Sequence, residues 1–123
     1  MVKMVKHMKV KILNLDFRKS ENRDIIQEEL RKIKPFRKCQ EGQNVSFEKL
    51  EKCIMVLCRN YDMTPRIYSD CFSSNDGIIW TFQLIDNKNL NEIGKCYGLS
   101  LYELMCKSVI MSYDITRKRE KKK

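Results

Sequence analysis

Apolar and polar residues alternate near the start of the chain, over Met8–Phe17. The alternation slips by one residue after Ile12, which predicts a strand with a bulge. A helix is the competing interpretation, because Met4, Met8 and Ile12 also lie on one helical stripe. Of the two, we expect the strand.

Two stretches with helical spacing follow. Ser20 offers an N-cap for a helix whose apolar residues recur every three or four positions, and Pro35 ends it. Ser46 caps a second helix, which has a clean apolar stripe and is expected to end near Asn60. Each segment therefore has both a start signal and an apolar face.

β-Branched and aromatic residues dominate the middle of the chain. Ile78–Ile85 alternates apolar and polar residues, and Ser73–Gly77 before it has the composition of a turn. Arg66–Phe72 then supplies the partner strand of a β-hairpin. The alternative is a helix starting at Thr64–Pro65, since threonine caps helices and proline suits their first turn. Of the two, we expect the hairpin.

The remainder of the chain is predicted to be helical. Asn89 caps a short helix, and Gly98 stands where a left-handed residue would end it. Ser100 caps the last helix, in which apolar residues recur at helical spacing from Tyr102 to Tyr113. This last helix must therefore bury a face.

Together these elements predict an α+β protein: a small, helix-rich single domain with a short antiparallel hairpin and a C-terminal helical hairpin. An all-α bundle is the alternative. The globular domain is expected to span residues 1–116, since a chain of 123 residues is long enough for one core. Residues 117–123 are expected to form a disordered basic tail.

The segment Leu90–Leu104 has the pattern of two short helices joined by a tight turn. Gly94 is a small residue that would let two helices approach, and Gly98 would form the turn. Residues 90–110 resemble the helix-turn-helix of many DNA-binding domains. In that family the second helix enters the major groove. The residues that the resemblance places toward the groove are Ser100, Leu101, Glu103 and Lys107.

The charge of the chain favours the same kind of partner. Its formal net charge is +9, and a basic surface attracts phosphate backbones. We expect nucleic acid, DNA or RNA, as the partner, with contacts that fix position without reading sequence. The expected nucleic-acid-binding residues are Ser100, Lys107, Arg117, Lys118, Arg119, Lys121, Lys122, Arg31, Lys32, Arg37 and Lys38.

Aromatic residues offer a second way to bind nucleic acid. Trp80 and Phe82, with Tyr68 or Phe72 on the partner strand, could form a base-stacking platform on an exposed sheet face. Burial in the core is the alternative and the more common fate of such residues.

Catalysis and metal binding are not expected. The chain has one histidine, His7, and its six cysteines include no Cys-x-x-Cys pair. We therefore expect no cofactor, no metal and no small-molecule substrate. No window approaches about 18 apolar residues, so we expect no membrane span. Without an apolar leader, the cysteines are expected to be reduced thiols in a nuclear or cytoplasmic protein.

A second likeness concerns Ser46–Thr64 and Ile78–Tyr113. These segments loosely resemble the helical N-terminal domain of elongation factor S-II and the integrase-binding domain of lens epithelium-derived growth factor. The shared features include a Met63–Thr64 helix start and a closing helix that contains Lys107 and Ser108. That family docks short disordered peptides of transcription proteins. The resemblance implies the alternative function, a protein-interaction module in a chromatin or transcription assembly.

Overall fold

The fold is a three-stranded antiparallel sheet covered by helices, as the computed structural model shows for residues 11–40, 42–70 and 78–121. The elements in chain order are α1 (Ser20–Arg31), a 3-10 turn (Lys34–Phe36), α2 (Phe47–Tyr61), β1 (Met63–Asp70), β2 (Ile79–Asp86), β3 (Glu92–Gly98) and α3 (Leu101–Lys121). The predicted α+β class is confirmed, and the all-α alternative is wrong.

The strand predicted over Met8–Phe17 is wrong in the part that the structure describes. Residues 11–13 are helical and residues 14–19 form turns, while residues 8–10 lie outside the described residues. Ile12 is buried in the core. A short apolar run fits both periodicities, and here packing against the helices selects the helical one.

The predicted helices α1 and α2 are confirmed, with one shift at a cap. Lys19, rather than Ser20, occupies the N-cap position of α1, and its side chain makes no capping hydrogen bond. Ser46 does cap α2, because its Oγ accepts a hydrogen bond from the Lys49 N–H at 3.3 Å. The left-handed conformation of Asp62, with φ of 55°, ends α2.

The predicted hairpin is confirmed as the β1–β2 pair. Ile67 lies opposite Phe82, and Ser69 lies opposite Trp80. The expected turn at residues 73–77 lies outside the described residues. Thr64 and its proline neighbour belong to β1, so the alternative helix start at Thr64–Pro65 is wrong.

The short helix predicted between Asn89 and Gly98 is also wrong, because Glu92–Gly98 forms strand β3. Backbone pairing explains the difference: β3 completes the hydrogen-bonding edge of β2, with Cys96 opposite Phe82. This gain is non-local and outweighs the local helix signal. The C-terminal helical hairpin is therefore replaced by a strand followed by a helix.

The two glycines of β3 let the strand lie close to α3. A Cβ atom on Gly98 would stand 2.8 Å from the backbone nitrogen of Leu104. A Cβ atom on Gly94 would stand 2.8 Å from Cδ1 of Ile115. Among the described glycines only Gly42 has a positive φ, so Gly98 serves close approach rather than a left-handed turn.

Helix α3 is the centre of the core. Leu104, Cys106, Val109 and Ile110 are almost fully buried between the sheet and the other two helices. The helix runs through Arg117 to Lys121, so residues 117–121 are helical where a disordered tail was expected. Residues 122–123 lie outside the described part of the chain.

Candidate nucleic-acid interface

The start of α3 does not present its charged residues to solvent. Ser100 Oγ accepts the Glu103 N–H at 3.1 Å, and Glu103 Oε1 accepts the Leu99 N–H at 3.0 Å. This arrangement is a variant of the capping box, in which Glu103 reaches the N–H of the residue before the N-cap, and it fixes the first turn of the helix. Ser100 and Leu101 remain exposed, but the Ser100 hydroxyl is committed to the cap.

Lys107 is buried, contrary to its expected role in nucleic-acid binding. Its side chain is 5% exposed, and its Nζ lies 2.6 Å from Oε2 of Glu103. The same Nζ donates a hydrogen bond to the Leu15 carbonyl oxygen at 2.9 Å. The ammonium group therefore fastens the N-terminal loop to α3, and it cannot reach a phosphate. Glu103 and Lys107 are four residues apart, so they lie on the same face of α3, and the loop that contains Leu15 covers that face.

Several of the other expected phosphate contacts are held in ion pairs. Arg119 Nη2 lies 2.7 Å from Asp86 Oδ2, and Lys118 Nζ lies 3.0 Å from an Asp114 oxygen. Arg31 pairs with Glu28 and donates to the Gln43 carbonyl oxygen. Lys121 is the last residue of α3, and Lys122 lies outside the described residues.

Three of the expected residues do come together. Lys32, Arg37 and Arg117 line a cleft of about 400 Å³ among the helices. Glu29 and Glu120 line it as well, so three cations and two carboxylates leave an excess of one positive charge. Lys38 is exposed but does not line this cleft. The basic residues near Pro35 and those near the end of α3 therefore lie on one surface, as expected if both contact the same ligand.

The sheet presents a second surface, because within the described residues the helices cover one of its faces and leave the other open. On the open face, Tyr68, Thr81 and Tyr97 form one row across the three strands. The Tyr68 side chain is 42% exposed and that of Tyr97 is 52% exposed. Thr81 is buried because the two large side chains flank it. Two aromatic rings are therefore held side by side on a flat backbone.

The next row of the same face is polar and basic. Arg66, Gln83 and Lys95 lie opposite one another on β1, β2 and β3. Lys95 Nζ stands 6.0 Å from the centroid of the Tyr97 ring and 4.0 Å from Oε1 of Glu92, which also accepts a hydrogen bond from Gln83 Nε2. Tyr68 and, after it, Tyr97 raise the pKa of Lys95 above its ordinary value of 10.5. We call these two rows the open sheet face: Arg66, Tyr68, Thr81, Gln83, Lys95 and Tyr97.

The aromatic residues on the open sheet face are not the ones expected to form a stacking platform. Phe82 is fully buried and Trp80 is half-buried on the helix-covered side, so for them the core alternative holds. Phe72 lies outside the described residues. Tyr68 does reach an open face. Its companion Tyr97 was missed because a helix was expected there, although Gly94–Gly98 alternates small and large residues as a strand does.

The described residues contain no group of three or more histidine, cysteine or acidic side chains placed to hold a metal ion. Within that same part of the chain, no helix combines the length and apolar character that crossing a bilayer requires. Burial raises the pKa of the Cys53, Cys58 and Cys96 thiols to about 11 and that of Cys106 to about 12. These four thiols are therefore protonated at neutral pH and are poor nucleophiles.

Comparisons with family models, with curated proteins and with solved structures find no match for this chain. A functional argument must then start from the surfaces themselves, since a fold class alone does not imply a function. The chain offers two: the open sheet face and the basic cleft among the helices.

Proposed function

We propose that this protein is a non-enzymatic nucleic-acid-binding protein of the nucleus or cytosol, and that it binds a single-stranded segment across the open sheet face. The observation that carries the proposal is the exposed pair Tyr68 and Tyr97, which flank Thr81 in one row. The interface therefore moves from the start of α3, where Lys107 is buried, to the opposite side of the molecule.

Base stacking explains why such a face suits a single strand. An aromatic side chain contributes about 1–3 kcal/mol for each base stacked on it, and any base can stack because each has a π face. Exposed sheet faces with aromatic residues bind unpaired bases in RNA-binding domains, which is an analogy of surface type only. In a duplex these base faces are covered by neighbouring pairs, so we expect a single strand to be preferred.

The cations of the face would hold the backbone. Arg66 and Lys95 occupy the row next to the two tyrosines, on the two edge strands. Strands lie about 4.8 Å apart, so the backbone positions of Arg66 and Lys95 are about 10 Å from each other across Gln83. The two cations can therefore contact separate phosphates while the bases lie over the rings. The excess charge of the remaining surface adds attraction at long range.

The proposal is tested by fluorescence anisotropy with labelled oligo(U), oligo(dT) and a duplex of mixed sequence. We expect both single strands to bind more tightly than the duplex, and binding to weaken with salt. On single strands each neutralised phosphate contributes about 0.7 to the slope of log affinity against log salt. Replacing both Arg66 and Lys95 by glutamine should therefore lower that slope by about 1.4.

The aromatic contribution is tested with Tyr68→Ala and Tyr97→Ala. Each should lower affinity for oligo(U) by about 5- to 150-fold, the equivalent of one stacked base. Phe47→Ala is the matched control, since Phe47 is 40% exposed at the start of α2 and away from the sheet. Equal losses in all three variants, or a preference for duplex, would overturn the proposal.

A further inference from the structure

An apolar groove lies on the other side of the molecule from the open sheet face. It measures about 350 Å³ and runs between the 3-10 turn, α2 and Tyr113 in the middle of α3. Its apolar lining residues are Ile33, Pro35, Cys53, Val56, Leu57 and Tyr113. Val56 is 45% exposed, so apolar surface of the groove is in contact with water.

Cations stand at both ends of this groove. Lys49 and Lys52 project from α2 at one end. At the other end the groove opens into the basic cleft, because Ile33, Leu57 and Tyr113 line both. Arg37 and Arg117 are two of the cations at that end. The apolar floor thus lies between a lysine pair at one end and, at the other, a cleft in which Lys32, Arg37 and Arg117 exceed Glu29 and Glu120 by one positive charge.

Four of these cations form no ion pair within the described residues. Among the ion pairs of the described residues, none includes Lys49, Lys52, Arg37 or Arg117. Arg117 is nevertheless held in place, with its guanidinium 5.8 Å from the centroid of the Tyr113 ring. The cations that border the floor are therefore available to an anionic ligand.

We infer that the groove binds an acidic peptide segment of a partner protein, with an apolar side chain seated between Pro35 and Val56. Carboxylates on either side of that anchor would reach the lysine pair and the arginine pair. Apolar anchors in grooves with charged rims are a common mode of peptide recognition. This interaction uses a different surface from the proposed nucleic-acid interface, and it does not depend on that function.

Charge disfavours two occupants that this chain could itself supply. Residues 1–10 contain three lysines and no acidic residue, so they would bring like charge to the groove. A second copy of the chain carries the same net charge of +9. A fatty acid has one anionic head, which can satisfy only one end of the groove. A peptide with acidic residues on both sides of an apolar anchor satisfies both ends.

The test uses a short labelled peptide with two leucines one helical turn apart, flanked by aspartate and glutamate. Its two comparison peptides replace the leucines by serine or the acidic residues by glutamine. We expect the parent peptide to bind at least about tenfold more tightly than either, because burying one leucine alone is worth about that factor. Equal binding of the glutamine peptide would overturn the inference.

Two variants locate the site on the protein. Val56→Glu should abolish peptide binding, whereas Met55→Glu, on the same helix but outside the groove, should leave it unchanged. Lys49→Glu combined with Lys52→Glu should weaken binding at least about tenfold. Lys19→Glu combined with Lys88→Glu is the control, because it changes the net charge by the same amount at exposed positions outside the groove. The double lysine variant concerns exposed side chains, so it remains informative if Val56→Glu proves unstable.

Competition identifies the occupant. If oligo(U) displaces the peptide, the groove is a nucleic-acid site and the inference fails. If dodecanoate displaces it and binds more tightly than the parent peptide, the groove is a lipid site and the inference fails as well. Peptide binding that survives both competitors supports the inference. Tyr97→Ala should leave peptide affinity unchanged, whether or not it alters binding of oligo(U).

Discussion

The buried pair of Lys107 and Glu103 gives the sharpest test of the structure. The two side chains are 5% and 6% exposed, and Lys107 Nζ also holds the Leu15 carbonyl oxygen. The variant Lys107→Met removes the ammonium but keeps most of the side-chain volume. It leaves the Glu103 carboxylate buried with only the Leu99 N–H as a partner.

Removing one partner of a buried ion pair costs about 3–5 kcal/mol, because the other charge stays buried without compensation. Domains of this size have about 5–15 kcal/mol of stability, so the variant should fold but only marginally. With a urea dependence of about 1.5 kcal/mol per molar, the unfolding midpoint should fall by about 2–3 M. Trp80 is the single tryptophan and is half-buried, so its fluorescence reports the transition.

The matched control is Lys118→Met. Lys118 and Asp114 are also four residues apart on α3, but their side chains are 45% and 22% exposed. Exposed pairs of this kind contribute about 0.3–0.5 kcal/mol, so the midpoint should hardly move. The double variant Glu103→Gln with Lys107→Met should be more stable than Lys107→Met alone, because no unpaired charge remains. A Lys107→Met variant as stable as Lys118→Met would refute the buried position of Lys107.

Three further predictions concern the core and the sheet. Gly98→Ala should lower the free energy of unfolding by at least about 2 kcal/mol in urea titrations, since its Cβ would meet the Leu104 backbone. Gly94→Ala should lower it by less than about 1 kcal/mol, because its Cβ would meet the flexible ends of side chains. Equal losses would contradict the packing of β3 on α3. Ser112→Ala should leave the free energy of unfolding unchanged or raise it by up to about 1–3 kcal/mol, because Ser112 Oγ is buried without a hydrogen-bond partner among the described residues. A marked loss of stability in the same urea titration would contradict this. The Lys88 backbone N–H, ahead of Arg119, lowers the pKa of Asp86 below its ordinary 3.8. The carboxylate therefore stabilises the fold above the pKa that Asp86 has in the unfolded chain, and this stabilisation is lost as the pH falls through its pKa in the folded protein. Asp86→Asn should flatten the pH dependence of the unfolding free energy below about pH 4. An unchanged pH dependence in acid would argue against this role of Asp86.

Local signals in the sequence determined where the three long helices and the hairpin lie. Ser46 and Ser100 have side chains that satisfy free N–H groups at helix starts, and this chemistry needs no distant partner. The β1–β2 pair joins neighbouring stretches of chain, and its aromatic and β-branched residues favour strands wherever they are placed. For the same reason, apolar periodicity identified most of the buried face of α3.

Tertiary structure alone decided the rest. Strand β3 exists because β2 has an edge to pair; the alternation of small and large residues over Gly94–Gly98 fits a strand, but the pairing selects the strand over a helix. The composition fixes the net charge, but only the packing decides that Lys107 is buried while Arg37 and Arg117 border one cleft. Tyr97 and Lys95 join Tyr68 on the open sheet face through pairing across β2. Strand pairing and helix packing bring together residues that are far apart in the chain. Pairing forms the open sheet face, and packing forms the apolar groove.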